Sequence, residues 1–235
     1  RHVGSALTYV ALAERTSGPI PKPAGDEDIW GDALDEWRRM DPDVRLANLE
    51  TAITRSDDFA PKGINYRMAP ENAPCLAAAG LDGCSLANNH ALDFGQDGLL
   101  QTLEVMQSLG IRVAGAGRNL AEAGAPAVIP LPGGSARLIF GAAAFEDSGV
   151  PPDWRAGPNR PGLNLVEPSE EAARGLAARI AELRGPQDIG VASIHWGSNW
   201  GYQVPDAHRR FAHALIDTGE VSVVHGHSSH HPRPV

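Results

Sequence analysis

The amino-acid sequence predicts a layered α/β domain with a largely parallel sheet. Runs of β-branched and aliphatic residues alternate with amphipathic segments, an order typical of α/β layering. Glycines close the amphipathic segments, as Gly110 does after the helix predicted over 95–109. A Pro-Gly-Gly turn between the predicted strands 126–130 and 136–142 indicates a hairpin, so the sheet is mixed.

The other elements follow from periodicity and from glycine and proline positions. Helices are predicted over 29–40, 70–79, 169–184 and 205–218, and strands over 44–49, 84–87, 111–114, 189–194 and 221–224. Residues 147–164 are rich in proline and glycine and predict a long loop. Residues 1–13 place Val3, Leu7, Val10 and Leu12 at roughly helical spacing.

Length and composition fit one domain over 1–235, since 235 residues with 42% hydrophobic content can bury a sizeable core. The formal charge of -9 argues against nonspecific binding to nucleic acid. Cys75 and Cys84 are the only cysteines, which favours two buried thiols over a disulfide and excludes a Cys-rich zinc module. Because no apolar run reaches about eighteen residues, we expect a soluble chain without a transmembrane segment, cytoplasmic rather than secreted.

Six of the nine histidines lie in three short stretches that end predicted strands. His90 follows 84–87, His195 follows 189–194, and the other four follow 221–224. Strand ends can bring imidazole nitrogens and amide oxygens to one or two cations. The pattern therefore predicts a metal-centred enzyme.

Asn89 and His90 stand together after the strand 84–87. An asparagine carbonyl can bridge metals, and an adjacent histidine can give a proton to a leaving group. The alternative is an asparagine-rich turn capped by Asp93. Glu50, delivered after the strand 44–49, is either an anionic ligand or a helix-start residue favoured by the helix dipole.

The remaining histidine candidates are His195, His227 and His230. His195 is either a ligand or a buried histidine bonded to backbone. His227 and His230 stand three residues apart on a predicted loop, a spacing that lets both reach one dinuclear centre, whereas a fortuitous His-rich tail is the alternative. Aromatic residues after His195, at Trp196, Trp200 and Tyr202, predict either core packing or an apolar wall for a ligand.

Four motifs occur in order over about residues 43–235: N-L-E-T-A-I-T, L-A-N-N-H-A-L-D-F-G, S-I-H-W-G and V-V-H-G-H-S-S-H-H-P. With them the sequence resembles the CapA capsule-synthesis family, which is associated with poly-γ-glutamate production. That family is similar to the calcineurin-like metallophosphatases. The resemblance implies a metallophosphatase-like layered β-sandwich flanked by helices.

The resemblance also implies residue roles: His90 as the acid that protonates a leaving group, and metal ligands at Glu50, Asn89, His195, His227 and His230. It implies one or two divalent cations, of which Mn, Fe or Zn suit these ligands. The family's opening strand, with a Gly-Asp-Val-Met-like segment, has no counterpart here. We therefore expect that an Asp ligand lies upstream of Arg1, and that this domain continues beyond both ends of the sequence.

The function expected from these residues is a metal-dependent hydrolase that acts on a phosphoester or a γ-glutamyl amide. Its substrate would be a small molecule or a polymer, and it would work with a capsule-synthesis complex. The alternative is a non-catalytic assembly protein that binds an anionic polymer or a membrane partner.

Overall fold

The structure is a computed structural model that describes residues 6–233. The α-helices are α1 (Ala6–Ser17), α2 (Ala33–Met40), α3 (Pro74–Ala78), α4 (Gly95–Ser108), α5 (Leu120–Gly124), α6 (Glu170–Ala181) and α7 (Asp206–Ile216). The strands are β1 (Leu46–Asn48), β2 (Ala52–Ile53), β3 (Arg67–Met68), β4 (Gly83–Ser85), β5 (Arg112–Ala114), β6 (Ala116–Gly117), β7 (Ala127–Pro130), β8 (Arg137–Ala144), β9 (Gly162–Leu163), β10 (Ile189–His195) and β11 (Val223–His227).

Two sheets form the centre of the domain. The first has the strand order β1-β4-β5 and is parallel throughout. The second has the order β11-β10-β8-β7, in which β7 alone runs antiparallel to its neighbour. The hairpin predicted across residues 131–135 is confirmed by the pairing of β7 with β8.

The sheets pack face to face, with helices outside them. Strand β8 shows this arrangement, because its side chains alternate between the two faces. Leu138, Phe140 and Ala142 belong to the core shared with the first sheet. Ile139 and Ala143 instead belong to a second core, which α6 and α7 close. The predicted layered α/β fold is confirmed.

Helix α4 covers the outer side of the first sheet. Its buried residues Leu99 and Met106 join the core of that sheet, and Leu103 packs beside them. Gly110, just after the helix, takes a φ of +73°, which an L side chain rarely adopts. The predicted helix and its glycine stop are therefore confirmed.

Two predicted helices are each divided. The segment 29–40 begins as a 3-10 turn over Asp28–Trp30, and the helix proper starts only at Ala33, because Gly31 takes a φ of +50° between them. The segment 70–79 splits into a 3-10 turn and α3, whose first residue is Pro74. A proline lacks the N–H that a continuous helix would need at that point.

Two further predictions need correction, and a third lies partly outside the described residues. The loop predicted over 147–164 contains β9, which pairs antiparallel with β6. The last strand runs to His227 instead of ending at residue 224, because β10 continues to His195 and the two strands stay in register. The opening helix begins at Ala6 among the described residues, and Val3 lies outside them.

Cys75 and Cys84 are buried free thiols, as predicted, and burial raises the pKa of Cys84 to about 12. Within residues 6–233 no helix has the length and apolar composition that crossing a bilayer requires.

Candidate functional site

The candidate residues lie at or just after the carboxyl ends of parallel strands. Glu50 follows β1, the pair Asn89 and His90 follows β4, and His195 is the last residue of β10. His227 is the last residue of β11, so the prediction that it lies on a loop is wrong. Ligand sites in α/β sheets form at this strand edge, where loops leave the sheet.

His195 and His227 are in contact. They are paired residues in the register of β10 and β11, and their Nδ1 atoms are 2.7 Å apart. Burial, together with the charges of His90 and His230, lowers the pKa of His195 to about 3. Burial and the neighbouring histidines lower the pKa of His227 to about 2. Both rings are therefore neutral at pH 7, the form in which imidazole binds metals.

Two of the candidate atoms are buried without any hydrogen-bond partner: Nε2 of His195 and Oδ1 of Asn89. Buried polar atoms nearly always have a hydrogen-bond partner, so an unpartnered one needs a physical explanation, such as a bound ion. An imidazole nitrogen and an amide oxygen are also suitable ligands for Mn, Fe or Zn. These two atoms fit a divalent cation.

The described residues do not form a complete cage. Among residues 6–233 no group of three or more histidine, cysteine, aspartate or glutamate side chains is placed to hold a metal ion. Asn89 is an asparagine and so falls outside that set of residue types. Within the set, His195 and His227 are the two candidate ligands in direct contact. The ligand roles of Glu50, Asn89, His195, His227 and His230 stay predictions.

The two adjacent asparagines have different environments. Asn88 is buried, and its Nδ2 donates to Asn48 Oδ1 at 3.0 Å and to the Leu49 carbonyl at 2.9 Å. Asn48 in turn donates from Nδ2 to Glu50 Oε2 at 2.8 Å. Asn88 thus ties the end of β1 to the loop after β4, whereas Asn89 keeps its side-chain oxygen free of protein partners.

His90 is held by a buried carboxylate. Its Nδ1 lies 2.6 Å from Asp93 Oδ2, which also accepts the backbone N–H of Tyr66 at 2.7 Å. The ammonium group of Lys62 lies 2.5 Å from Asp93 Oδ1 and donates to the carbonyl of Asn89. Residues 89–94 form a turn, as the sequence-based alternative predicts, but Asp93 does not cap it: the N-cap of α4 is Phe94, without a side-chain cap bond.

His230 lies apart from the contacting pair. The ring of His230 is exposed and makes an edge-type contact with the Trp200 ring, with centroids 5.5 Å apart. The backbone N–H of His230 donates to the Asn199 carbonyl at 3.0 Å. Trp200 and Tyr202 are 69% and 72% exposed, so neither is a core residue. These rings form an aromatic surface that also contacts His231.

Asp147 and His208 support the turn after His195, and the sequence did not single them out. His208 is buried, its Nε2 lies 2.7 Å from Asp147 Oδ2, and its ring stacks on Trp196 at 5.2 Å. Asp147 Oδ1 accepts the N–H of Gly197 at 2.9 Å. Burial raises the pKa of Asp147, but the bonds from His208 and Gly197 outweigh it and the net shift is downward.

Nothing in the sequence marks this pair, since His208 stands on the buried face of α7 beside Phe211 and Leu215 like an ordinary core residue. No sequence pattern indicates Lys62 either, because it lies in a loop, 28 positions before His90 in the chain.

Comparison with known proteins identifies the family. A family model described as the bacterial capsule synthesis protein PGA_cap matches residues 5–235. The chain belongs to this family. The resemblance inferred from the four motifs is therefore confirmed.

Several PGA_cap relatives are similar along the chain. A probable polyglutamine synthesis accessory protein of Mycobacterium tuberculosis is 45% identical, and the match covers 100% of this chain and 62% of that protein. The PGA biosynthesis protein CapA of Bacillus subtilis is 26% identical over 82% of this chain and 49% of its own length. The capsule biosynthesis protein CapA of Bacillus anthracis is 23% identical over 73% of this chain and 40% of its own length. The chain thus spans less than two thirds of each of these relatives.

Proposed function

We propose that this PGA_cap chain carries a metal-dependent hydrolase site that serves poly-γ-glutamate or capsule synthesis. The names of the relatives support the process. The observation that carries the chemistry is the pair of buried, unpartnered ligand atoms, His195 Nε2 and Asn89 Oδ1. The substrate is a phosphoester or a γ-glutamyl amide, in a small molecule or a polymer, and the protein works within a capsule-synthesis complex.

The ligands would be Asn89, His195 and His227, with Glu50 and His230 at the margin of the site. One or two cations of Mn, Fe or Zn would supply Lewis-acid polarisation of the scissile group and an activated water. The neutral imidazole of His195 leaves its unpartnered Nε2 free to bind such a cation.

His90 would be the proton donor to the leaving group. Asp93 holds its Nδ1, which leaves Nε2 without a hydrogen-bond partner among residues 6–233. The Asp93 carboxylate orients the ring, and Lys62 holds that carboxylate in place. A donor of this kind contributes typically about 10²–10⁴-fold to a rate.

The test is metal analysis of the protein, followed by a screen of phosphoesters and γ-glutamyl peptides with and without chelator. We expect turnover of one of these classes that chelator abolishes and metal restores. Turnover that chelator leaves unchanged, or a protein that binds no divalent cation, would overturn the proposal.

A second candidate is a non-catalytic assembly protein, which the lack of a three-residue His or acidic cluster among the described residues favours. An assembly protein would bind its partner equally well after His90→Ala. The net charge of -9 opposes the broad binding to an anionic polymer that an assembly protein would need, but not binding confined to a site that holds a cation, so the hydrolase is the first candidate.

A further inference from the structure

Two clefts meet at Arg179 on helix α6. The first has a volume of about 460 Å³ and is lined by α6 and by residues of the segment 155–169 that precedes it. The second has a volume of about 510 Å³ and is lined by the end of α6, by α5 and by the two residues that follow α5. Arg179 lines both clefts, and none of the candidate metal ligands lines either of them. The clefts therefore form a second concave region, apart from the candidate metal site.

The guanidinium group of Arg179 has no carboxylate partner among residues 6–233. Arg179 is half-buried, and its Nη1 donates to the Gly124 carbonyl at 3.4 Å and to Asn164 Oδ1 at 3.5 Å. Both distances exceed those of ordinary N–H···O hydrogen bonds. Within the described part of the chain, Nη2 and Nε make no hydrogen bond. A guanidinium has five N–H donors, so most of its binding capacity is unused.

The surroundings of Arg179 fix the position of this charge. A methyl group at Gly124 would lie 2.7 Å from Arg179 Nη1, so the glycine makes room for the guanidinium against the end of α5. Asn164 is buried, and its Nδ2 donates to the Ala142 carbonyl at 2.8 Å, which holds the Asn164 side chain in place. The guanidinium thus rests between two fixed groups, and its unpartnered N–H groups are left for a ligand in the clefts.

The other charges of the first cleft lie away from Arg179 or compensate one another. Arg155 lies 3.5 Å from a carboxylate oxygen of Glu146 and 3.4 Å from one of Glu167. Glu171 also lines the cleft, but it stands eight positions before Arg179 in α6. At 1.5 Å per residue, that is about 12 Å along the helix axis. The cleft therefore has an uncompensated positive charge at the Arg179 end and carboxylates at the other end.

We propose that Arg179 is the anchor of a binding site for a ligand that carries a single carboxylate. The planar guanidinium presents its N–H groups in a fork that matches the two oxygens of a carboxylate. A phosphate group also fits this fork, but the carboxylates of Glu167 and Glu171 in the same cleft repel its second negative charge more strongly. The site needs no cation, so the proposal does not depend on the proposed hydrolase.

The test is an NMR titration of the metal-free, nitrogen-15-labelled protein with three small probes. N-acetylglycine carries one carboxylate, N-acetylglycinamide is its neutral counterpart, and inorganic phosphate is the alternative oxyanion. We expect N-acetylglycine to shift the Nε–H signal of Arg179 and the backbone N–H signals of Gly124 and Gly175 in a saturable way. N-acetylglycinamide should leave these signals unchanged, and phosphate should bind more weakly than N-acetylglycine.

Arg179→Gln should weaken the binding of N-acetylglycine about 10–100-fold, because it removes the hydrogen bonds to a charged group. Arg174→Gln is the matched control, since Arg174 is an exposed arginine of the same helix that pairs with Glu170 at 2.9 Å. It should leave the affinity unchanged. If Arg179→Gln does not fold, Gly124→Ala serves instead. It retains the charge, but its methyl group displaces Nη1 of Arg179, so the affinity should again fall.

The absence of a saturable shift at Arg179 would overturn the proposal, and so would an affinity that Arg179→Gln leaves unchanged. Equal losses in Arg179→Gln and Arg174→Gln would also overturn it, because the effect would then come from the net charge of α6. Phosphate binding tighter than that of N-acetylglycine would contradict the assignment of a carboxylate ligand. Since the titration uses metal-free protein, a protein that binds N-acetylglycine but no divalent cation would refute the proposed function and leave the Arg179 site standing.

Discussion

Asp93→Asn tests whether the buried carboxylate beside His90 anchors this part of the site. The substitution keeps the shape of the side chain and one acceptor oxygen for the Tyr66 N–H. It removes the charge that faces Lys62 at 2.5 Å and His90 at 2.6 Å. Lys62 is then left beside a neutral group at a position where the Asp93 side chain is fully buried.

Breaking a buried ion pair from one side costs about 3–5 kcal/mol. The side chain of Lys62 keeps 25% exposure, so water compensates in part, and we expect a loss of about 2–3 kcal/mol. Urea unfolding with linear extrapolation measures this change directly. A loss below about 1 kcal/mol would contradict this expectation, because the carboxylate would then contribute no more than a single neutral hydrogen bond.

Asp188→Asn is the control for this experiment. Asp188 also accepts backbone N–H groups and pairs with Arg137, but it lies at the amino end of β10, away from His195. It should lower stability while leaving the NMR signals of the His90 ring unchanged. Asp93→Asn should shift those signals.

Three further outcomes are expected. His90→Ala should lower turnover of an identified substrate about 10²–10⁴-fold while the metal content stays unchanged, and a metal-free His90→Ala protein would contradict the role of His90 as proton donor. His227→Ala should instead lose metal first, and activity with it. Because the described residues form no three-residue cluster, metal should be weakly held and lost on dialysis, and stoichiometric metal after dialysis would show a further ligand. The folded pKa values of His195 and His227, about 3 and about 2, lie below the ordinary 6.5, so the unfolded chain binds more protons below pH 6.5. Stability should therefore fall as pH drops from 6.5 toward 3, by up to about 1.4 kcal/mol per pH unit for each histidine, and urea unfolding of His227→Asn should show a smaller slope.

The sequence predicts an element of the fold where the periodic pattern of apolar residues extends over several turns or alternations. Helix α4 and strand β10 were placed within about a residue, because each carries several turns or alternations of apolar residues. Pairs such as β2 with β3 are two residues long, too short for a period, and were not predicted. The end of β11 was missed because His225, Gly226 and His227 are poor strand formers that pairing with β10 holds extended.

The candidate site is also predicted only in part. His90, His195 and His227 could be identified from the sequence because each lies at or just after the end of a predicted strand. The side chains that support the site come from loops and helices far away in sequence, as Lys62 does for Asp93 and His208 does for Asp147. Such pairs depend on tertiary packing, and single-sequence patterns do not encode them.

We propose that His195, His227 and Asn89 bind a divalent cation. The most direct measurement is a crystal structure of the protein soaked in Mn²⁺, with the ion located by its anomalous scattering. We predict an ion about 2.0–2.2 Å from a ring nitrogen of both histidines, with Asn89 Oδ1 among its ligands. An ion bound only elsewhere, or an unpartnered His195 Nε2 at saturating Mn²⁺, would contradict the claim.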